Sequence, residues 1–168
     1  MTRLLIADDH PLMLSGIQAV LRRTGFEIVH KASDGMAVLD ALDEARPDIL
    51  VLDLKMPKLT GLDVLRTLRL NDDARPVVLL TAHIDDASLL EALRLGVNGI
   101  IMKDDAETLI RTCLETVRDG ERWIQPSIFQ RALDLATGEG PLQKGPLGRL
   151  TPRERAITRL VREGLRNR

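Results

Sequence analysis

The sequence predicts an α/β protein built on a doubly wound parallel sheet, with helices packed on both faces. The first observation behind this prediction is a set of short, unbroken apolar runs such as Ile49–Leu52, which are typical of strands buried on both faces. The second is that these runs alternate five times with segments of helical apolar spacing. The composition agrees, since 44% of the 168 residues are hydrophobic and 29% are charged, as in soluble globular proteins.

Five strands are predicted from the apolar runs. The third is the clearest, because it ends in a carboxylate at Asp53 and Pro57 prevents its continuation. The five predicted strands are Arg3–Ala7, Phe26–Ala32, Ile49–Leu52, Val77–Leu80 and Gly99–Met102.

Five helices are predicted between and after these strands. Pro11 suits the first turn of the first helix, since the first helical N–H groups have no partner in any case. Glycines that follow an apolar stripe indicate helix ends. The predicted helices run from Pro11 towards Gly25, over Met36–Ala45, around Leu62–Leu68, around Leu89–Leu95, and from Leu109 to Gly120.

The pattern changes after Gly120, which divides the chain into three predicted parts. Residues 1–120 form the α/β domain, residues 121–148 form a linker with one short helix over Ser127–Ala136, and residues 149–168 form a helical extension. In the extension, Thr151, Pro152 and Glu154 form a good helix start with a capping box. Residues 1–120 carry a net charge of −6 and residues 121–168 a net charge of +5, which suggests modules with different partners.

Polar functional groups follow four of the five strands. If the strand order is 2-1-3-4-5, as in flavodoxin-like sheets, the carboxyl ends of these strands meet at one edge, where such sheets bind ligands. Asp53 is then central. The long side chain of Lys103 can reach it, because the two residues are separated by about two strand spacings of roughly 4.8 Å each. The residues at this edge are Asp8, Asp9, Asp53, Thr81 and Lys103.

This set of residues predicts phosphoryl transfer to a carboxylate. Clustered carboxylates stay ionised together beside a hard cation, and oxygen ligands suit Mg²⁺. Lys103 supplies a point charge and Thr81 a hydroxyl donor for an incoming phosphoryl group. Carboxylates also act as nucleophiles that form aspartyl phosphates, which makes the central Asp53 the predicted acceptor and Asp8 and Asp9 the predicted metal ligands.

Several other classes are disfavoured. Neither of the Gly-rich phosphate-binding patterns occurs, which argues against a nucleotide-binding enzyme. No local zinc motif can be written with one cysteine and three separated histidines, and no apolar run is long enough to span a membrane. The single Cys113 excludes an internal disulfide and suits a reducing cytoplasm, so we expect a cytoplasmic protein.

Residues 1–120 resemble the receiver domain of two-component response regulators. The matching pieces are Ala7–His10, Val51–Pro57 with Gly61, Leu80–His83, and Met102-Lys103. Residues 149–168 resemble the start of a LuxR-type helix-turn-helix. The combination is similar to the NarL/FixJ class of transcription factors.

The resemblance implies a function and assigns roles to the residues. A sensor histidine kinase would pass its phosphoryl group to Asp53, and Mg²⁺ would bind to Asp8, Asp9, Asp53 and the backbone carbonyl of Lys55. Thr81 and Lys103 would hold the phosphoryl group and report it. The output would be homodimerisation or a change in the DNA-binding part. Such a protein catalyses only its own phosphorylation and dephosphorylation and is otherwise no enzyme.

Two alternatives stay open at this point. A stand-alone receiver that acts through protein–protein interaction would share every feature of residues 1–120. A flavin-binding protein of the same fold is less consistent with two acids after the first strand, because a negative site repels flavin phosphate. Residues 152–163 supply only the first helix of the LuxR-type module, so we expect a truncated regulator without sequence-specific DNA binding; DNA would be a partner only of a full-length form.

One position departs from the receiver pattern. Receivers commonly carry Tyr or Phe three residues before the lysine of the fifth strand, and here that residue is Ile100. A β-branched aliphatic side chain has few χ1 states and no hydroxyl. We therefore expect the signal to depend on the loop after Thr81 and on the fourth helix.

Overall fold

The computed structural model describes residues 1–138, which form one parallel sheet with helices on both faces. The strands are β1 (Thr2–Ala7), β2 (Phe26–Ala32), β3 (Ile49–Asp53), β4 (Val77–Thr81), β5 (Gly99–Met102) and β6 (Trp123–Ile124). The helices are α1 (Pro11–Val20), α2 (Gly35–Ala45), α3 (Gly61–Leu70), α4 (Asp86–Arg94), α5 (Ala106–Arg118) and α6 (Pro126–Thr137), with a 3₁₀ turn at Lys103–Asp105.

The doubly wound arrangement is confirmed, and the prediction of five strands is wrong. The order is β2-β1-β3-β4-β5-β6, so the predicted order 2-1-3-4-5 is extended by one strand at the β5 edge. β6 pairs in parallel with β5 through Gly99–Trp123 and Ile100–Ile124. Two residues are too few to show a strand period in the sequence, and this strand exists because the free edge of β5 offers it partners.

The strands alternate their side chains between two cores. Leu4 and Ile6 of β1 face α1 and α5, whereas Leu5 and Ala7 face α2, α3 and α4. The same period of two runs through β3 and β4, in which every residue is buried. Burial on both faces explains why these strands lack the apolar–polar alternation of a half-exposed sheet.

Helix α6 packs on α4 and is fixed there by Arg131. Its buried Ile128 and Ala132 join the core on the α2–α4 side. The Arg131 guanidinium donates to the carbonyl of Ile84 at 2.6 Å and to Asp86 Oδ1 at 2.8 Å. The segment after α5 is therefore part of the folded α/β body as far as Thr137. None of the helices among residues 1–138 is long and apolar enough to cross a bilayer.

The predicted Gly/Pro-rich stretch from residue 139 and the predicted helix within 149–168 lie outside the described residues. The boundary predicted at residue 120 stays a prediction.

Gly61 is required by the close approach of α3 to the end of β3. A Cβ built on Gly61 lies 2.5 Å from the backbone oxygen of Asp53. We expect Gly61→Ala to lower the free energy of unfolding by roughly 2–3 kcal/mol, because backbone must shift to relieve the clash. Urea denaturation measures this change, and Gly25→Ala, whose Cβ meets nothing nearer than 3.5 Å, is the matched control. Equal stabilities for the two variants would contradict the expectation.

Candidate functional site

The site lies where the carboxyl ends of β1, β3, β4 and β5 meet. The registers place Ala7 beside Leu52, Asp53 beside Leu80, and Thr81 beside Met102. The residues that end or directly follow these strands are therefore level with one another to within about one position. This alignment brings the predicted residues to a common edge of the sheet, as expected for a switch point in an open parallel sheet.

Lys103 joins the two buried carboxylates. Its Nζ lies 2.8 Å from Asp53 Oδ2 and 2.9 Å from Asp8 Oδ2, and its side chain is only 12% exposed. Both aspartates are almost fully buried. The predicted reach of Lys103 across β4 to Asp53 is thus what the structure shows.

Burial sets the electrostatics of this group. Removal from water raises the pKa of Asp53, the hydrogen bond from Lys103 opposes this shift, and the charge of Asp8 adds to it. Burial by itself lowers the pKa of Lys103, but its hydrogen bond to Asp53 and its ion pairs with Asp53 and Asp8 outweigh burial and raise the pKa overall. The lysine therefore stays charged and compensates one of the two buried carboxylates.

A second, more exposed part of the site contains Asp9 and His10. His10 Nδ1 lies 3.0 Å from Asp8 Oδ1 and 3.0 Å from Asp9 Oδ1. The amide of His10 also donates to Asp8 Oδ1 at 2.8 Å. In the sequence, the position of His10 directly after two aspartates is the one signal that it lies near the site.

The acidic residues fit a divalent cation. One ligand atom from each of Asp8, Asp9, His10 and Asp53 can be chosen so that all lie within 4.8 Å of one another. Asp8 Oδ2 is buried and has only the ion pair with Lys103, with no hydrogen bond of good geometry among the described residues. A buried carboxylate oxygen without a hydrogen bond is costly, and a hard cation with oxygen ligands satisfies it.

Thr81 and Lys55 are at the same edge of the sheet, and neither contacts Asp8, Asp9 or Lys103 by a hydrogen bond. The Thr81 hydroxyl donates to the carbonyl of His83 at 2.6 Å and accepts from the amide of His83 at 3.1 Å. The contact of Lys55 with the site is through its amide, which donates to Asp53 Oδ1 at 3.2 Å. The structure thus brings Asp8, Asp9, Asp53 and Lys103 together and holds the Thr81 hydroxyl in its own loop.

Gln125, which the sequence interpretation did not single out, contacts the turn that carries Lys103. The side chain is buried, its Oε1 accepts from the amide of Met102 at 2.8 Å, and its Nε2 donates to Asp105 Oδ2 at 2.7 Å. A single glutamine outside any motif gives no sequence signal for such a role.

Comparisons with known proteins agree on one family. The model of the response regulator receiver domain matches residues 4–115. The transcriptional regulatory protein MctR of Rhizobium johnstonii is 31% identical over 98% of this chain and 75% of its own length. A two-component response regulator of the LuxR family from Aurantimonas sp. is 30% identical with a TM-score of 0.70, covering 77% of this chain and 94% of that structure.

A further solved structure, of two RcsB dimers bound to two parallel DNAs, is 26% identical with a TM-score of 0.73 and covers 97% of this chain and 77% of that chain. The family model spans the four strand ends that carry the acidic residues, Thr81 and Lys103. The chain belongs to the response regulator receiver family, with relatives among the NarL-type transcriptional regulators.

Proposed function

We propose that this chain is a response regulator that accepts a phosphoryl group on Asp53 from a sensor histidine kinase. The observation that carries the proposal is the buried pair of carboxylates, Asp8 and Asp53, bridged by Lys103 Nζ at 2.9 and 2.8 Å. A buried acidic pair with one cation is costly as a purely structural feature, because removing charges from water is only partly compensated. It is suited to a reaction in which charge is added to one carboxylate.

The residues present support a separate role for each group in this transfer. A carboxylate oxygen of Asp53 attacks phosphorus, an O–P bond forms, and the P–N bond to the kinase histidine breaks, with the electron pair returning to the ring nitrogen. Lys103 stays paired with the new phosphoryl oxygens as a point charge, and the Thr81 hydroxyl is the nearby donor that can leave His83 for them. Asp8, Asp9 and Asp53, with the carbonyl of Lys55, would hold Mg²⁺, which supplies charge neutralisation at the phosphoryl oxygens.

Asp53 is proposed as the acceptor because of its place in the sheet. β3 lies between β1, which is followed by the proposed metal ligands Asp8 and Asp9, and β4, which ends at Thr81. Among the carboxylates of the site, Asp53 alone lies on a strand with the aspartates on one side and Thr81 on the other, and it also contacts Lys103. Intact-mass measurement after incubation with phosphoramidate and Mg²⁺ tests the proposal. A gain of one acid-labile phosphoryl group supports it, and an unchanged mass contradicts it.

We further propose that phosphorylation controls transcription. The support is that MctR is a transcriptional regulatory protein and that RcsB is seen as dimers on DNA, while this chain aligns with nearly its full length to both. Homodimerisation on phosphorylation is the proposed link between site and output, and the cytoplasm is the proposed location. Apart from its own phosphorylation and dephosphorylation we propose no enzymatic activity.

Ile100 provides a test of how the signal leaves the site. It is fully buried in the core on the α2–α4 side, three residues before Lys103. Ile100→Ala should lower the free energy of unfolding by roughly 2–4 kcal/mol, because it leaves a cavity. If Ile100 transmits the signal by packing, the variant should also weaken phosphorylation-dependent dimerisation, measured by sedimentation before and after phosphodonor.

Ile101→Ala is the control, since Ile101 is equally buried but belongs to the core on the other face of the sheet. Dimerisation that survives in both variants to the same degree would show that Ile100 has no switching role.

A further inference from the structure

Gln125 lies between β6 and α6 and holds the turn that carries Lys103 from both sides. Its Oε1 accepts from the amide of Met102, directly before Lys103, at 2.8 Å. Its Nε2 donates to Asp105 Oδ2, two residues after Lys103, at 2.7 Å. One side chain therefore spans the whole 3₁₀ turn Lys103–Asp105.

The backbone of Gln125 is itself fixed. Its amide donates to the carbonyl of Ile100 at 3.0 Å, which continues the pairing of β6 with β5. Its carbonyl accepts from the amides of Ile128 and Phe129, each at 2.9 Å, which begins α6. Because its backbone is anchored to β5 and α6, Gln125 can hold the turn in place instead of moving with it.

A role in capping α6 does not explain this side chain. Gln125 occupies the N-cap position of α6, but its side chain makes no capping hydrogen bond there. It is directed instead to Met102 and Asp105, and it is buried, so its polar atoms require these partners. The side-chain amide of Gln125 therefore contributes two hydrogen bonds to the turn that carries Lys103.

The position of this turn matters because of the length of the lysine side chain. Lys103 Nζ must meet Asp53 Oδ2 and Asp8 Oδ2 at the same time, and a flexible side chain does so only from a fixed Cα. A misplacement of about 1 Å in a positioned group can slow a reaction about a hundredfold. A residue that fixes this turn therefore also fixes the position of the Lys103 ammonium group beside Asp53.

We propose that Gln125 is a positioning residue for Lys103 and, through it, for phosphoryl transfer to Asp53. This inference rests on the proposed function, since it concerns the same site. Gln125 touches neither Asp53 nor Asp8; it acts through the backbone amide of Met102 before the lysine and the side-chain carboxylate of Asp105 after it. The segment after α5, which the sequence pattern presented as a linker, is thus a working part of the phosphorylation site.

The first test compares initial rates of phosphoryl incorporation, by intact mass with phosphoramidate and Mg²⁺, in the 168-residue chain. We expect Gln125→Leu to slow incorporation about tenfold, because it removes both hydrogen bonds of the Gln125 side chain. Asp105→Ala removes only one of these hydrogen bonds and should slow incorporation about threefold. Asp104→Ala is the matched control, because Asp104 is exposed in the same turn and carries the same charge. Its side chain makes no hydrogen bond or ion pair within residues 1–138, so the parent rate is expected.

The second test separates positioning from general stability by repeating both substitutions in a Lys103→Ala background. If Gln125 acts through Lys103, Gln125→Leu and Asp105→Ala cause no further loss once the lysine is absent. A purely structural residue would instead cause the same loss in both backgrounds, which would overturn the proposal. Asp105 is exposed, so Asp105→Ala keeps the test decisive even if Gln125→Leu does not fold.

An exchange of groups provides a rescue. Gln125→Glu keeps an acceptor for the Met102 amide but sets two carboxylates against each other, so incorporation should slow. Adding Asp105→Asn to Gln125→Glu restores a donor–acceptor pair and should return the rate to within about twofold of the parent, as expected when two substitutions are coupled. If the double variant incorporates phosphate as slowly as Gln125→Glu alone, the proposal is overturned.

The outcomes also distinguish this proposal from the proposed function. A parent chain that gains no phosphoryl group contradicts both. A parent chain that is phosphorylated, with Gln125→Leu and Asp105→Ala at the parent rate, overturns the role of Gln125 and leaves the function of Asp53 intact.

Discussion

Asp53→Asn should abolish phosphoryl incorporation, with a rate at least about a thousandfold below that of the parent chain, in keeping with the loss of a nucleophile. The amide has nearly the same shape as the carboxylate, so the strand end and its contact with the Lys55 amide should remain. What is lost is the nucleophilic oxygen. Intact mass after incubation with phosphoramidate and Mg²⁺ measures the effect directly.

Asp40→Asn is the matched control for this prediction, because Asp40 is an exposed aspartate on α2 and the substitution changes the same group. It should gain phosphate at the parent rate. If Asp53→Asn still acquired one acid-labile phosphoryl group as fast as the parent, another residue would be the acceptor and the assignment would be wrong.

Removal of divalent cations should have the second largest effect. In excess chelator, phosphorylation should fall below detection, because the charges of Asp8, Asp9 and Asp53 then repel an incoming phosphoryl group and Lys103 offsets only part of them. Added Mg²⁺ should restore the rate. Asp8→Asn should raise the Mg²⁺ concentration for half-maximal rate at least about tenfold, which corresponds to 1.4 kcal/mol of binding free energy.

Ionic strength is the control for this experiment, since salt screens charges without replacing a coordinated ion. Sodium chloride at the ionic strength of the restoring magnesium salt should leave the chelated protein inactive. A rate that is unchanged in excess chelator would show that the carboxylates work without a metal ion.

The sheet could be predicted because its central strands carry an unambiguous signal. β3 and β4 are buried at every residue, so their apolar runs stand out from the amphipathic helices around them. Helix starts were harder to predict, as α4 shows. Its apolar stripe begins at Leu89, but the helix begins at Asp86 because the Asp85 side chain accepts from the Ser88 amide and caps it.

The candidate site was predictable where it depends on strand ends and not where it depends on turns. The meeting of Asp8, Asp53 and Lys103 follows from strand order and spacing, and the structure shows it. The contacts of His10 and Gln125 depend on how single loops turn, which no period in the sequence encodes. The hydroxyl of Thr81 illustrates the same limit, since its bonds to His83 are set by the loop.

The docking of α6 on α4 has a consequence for a protein that binds the same face of α4. Leu90 of α4 packs beside Phe129, Leu133 and Ala136 of α6, and Arg131 holds the carbonyl of Ile84. Helix α6 is therefore a tethered ligand for this face, present at an effective concentration on the order of millimolar for a short connection. A partner that uses the same face of α4 has to compete with it. The apparent affinity of such a partner is therefore lowered by the free energy needed to displace α6, whatever contacts the partner itself makes.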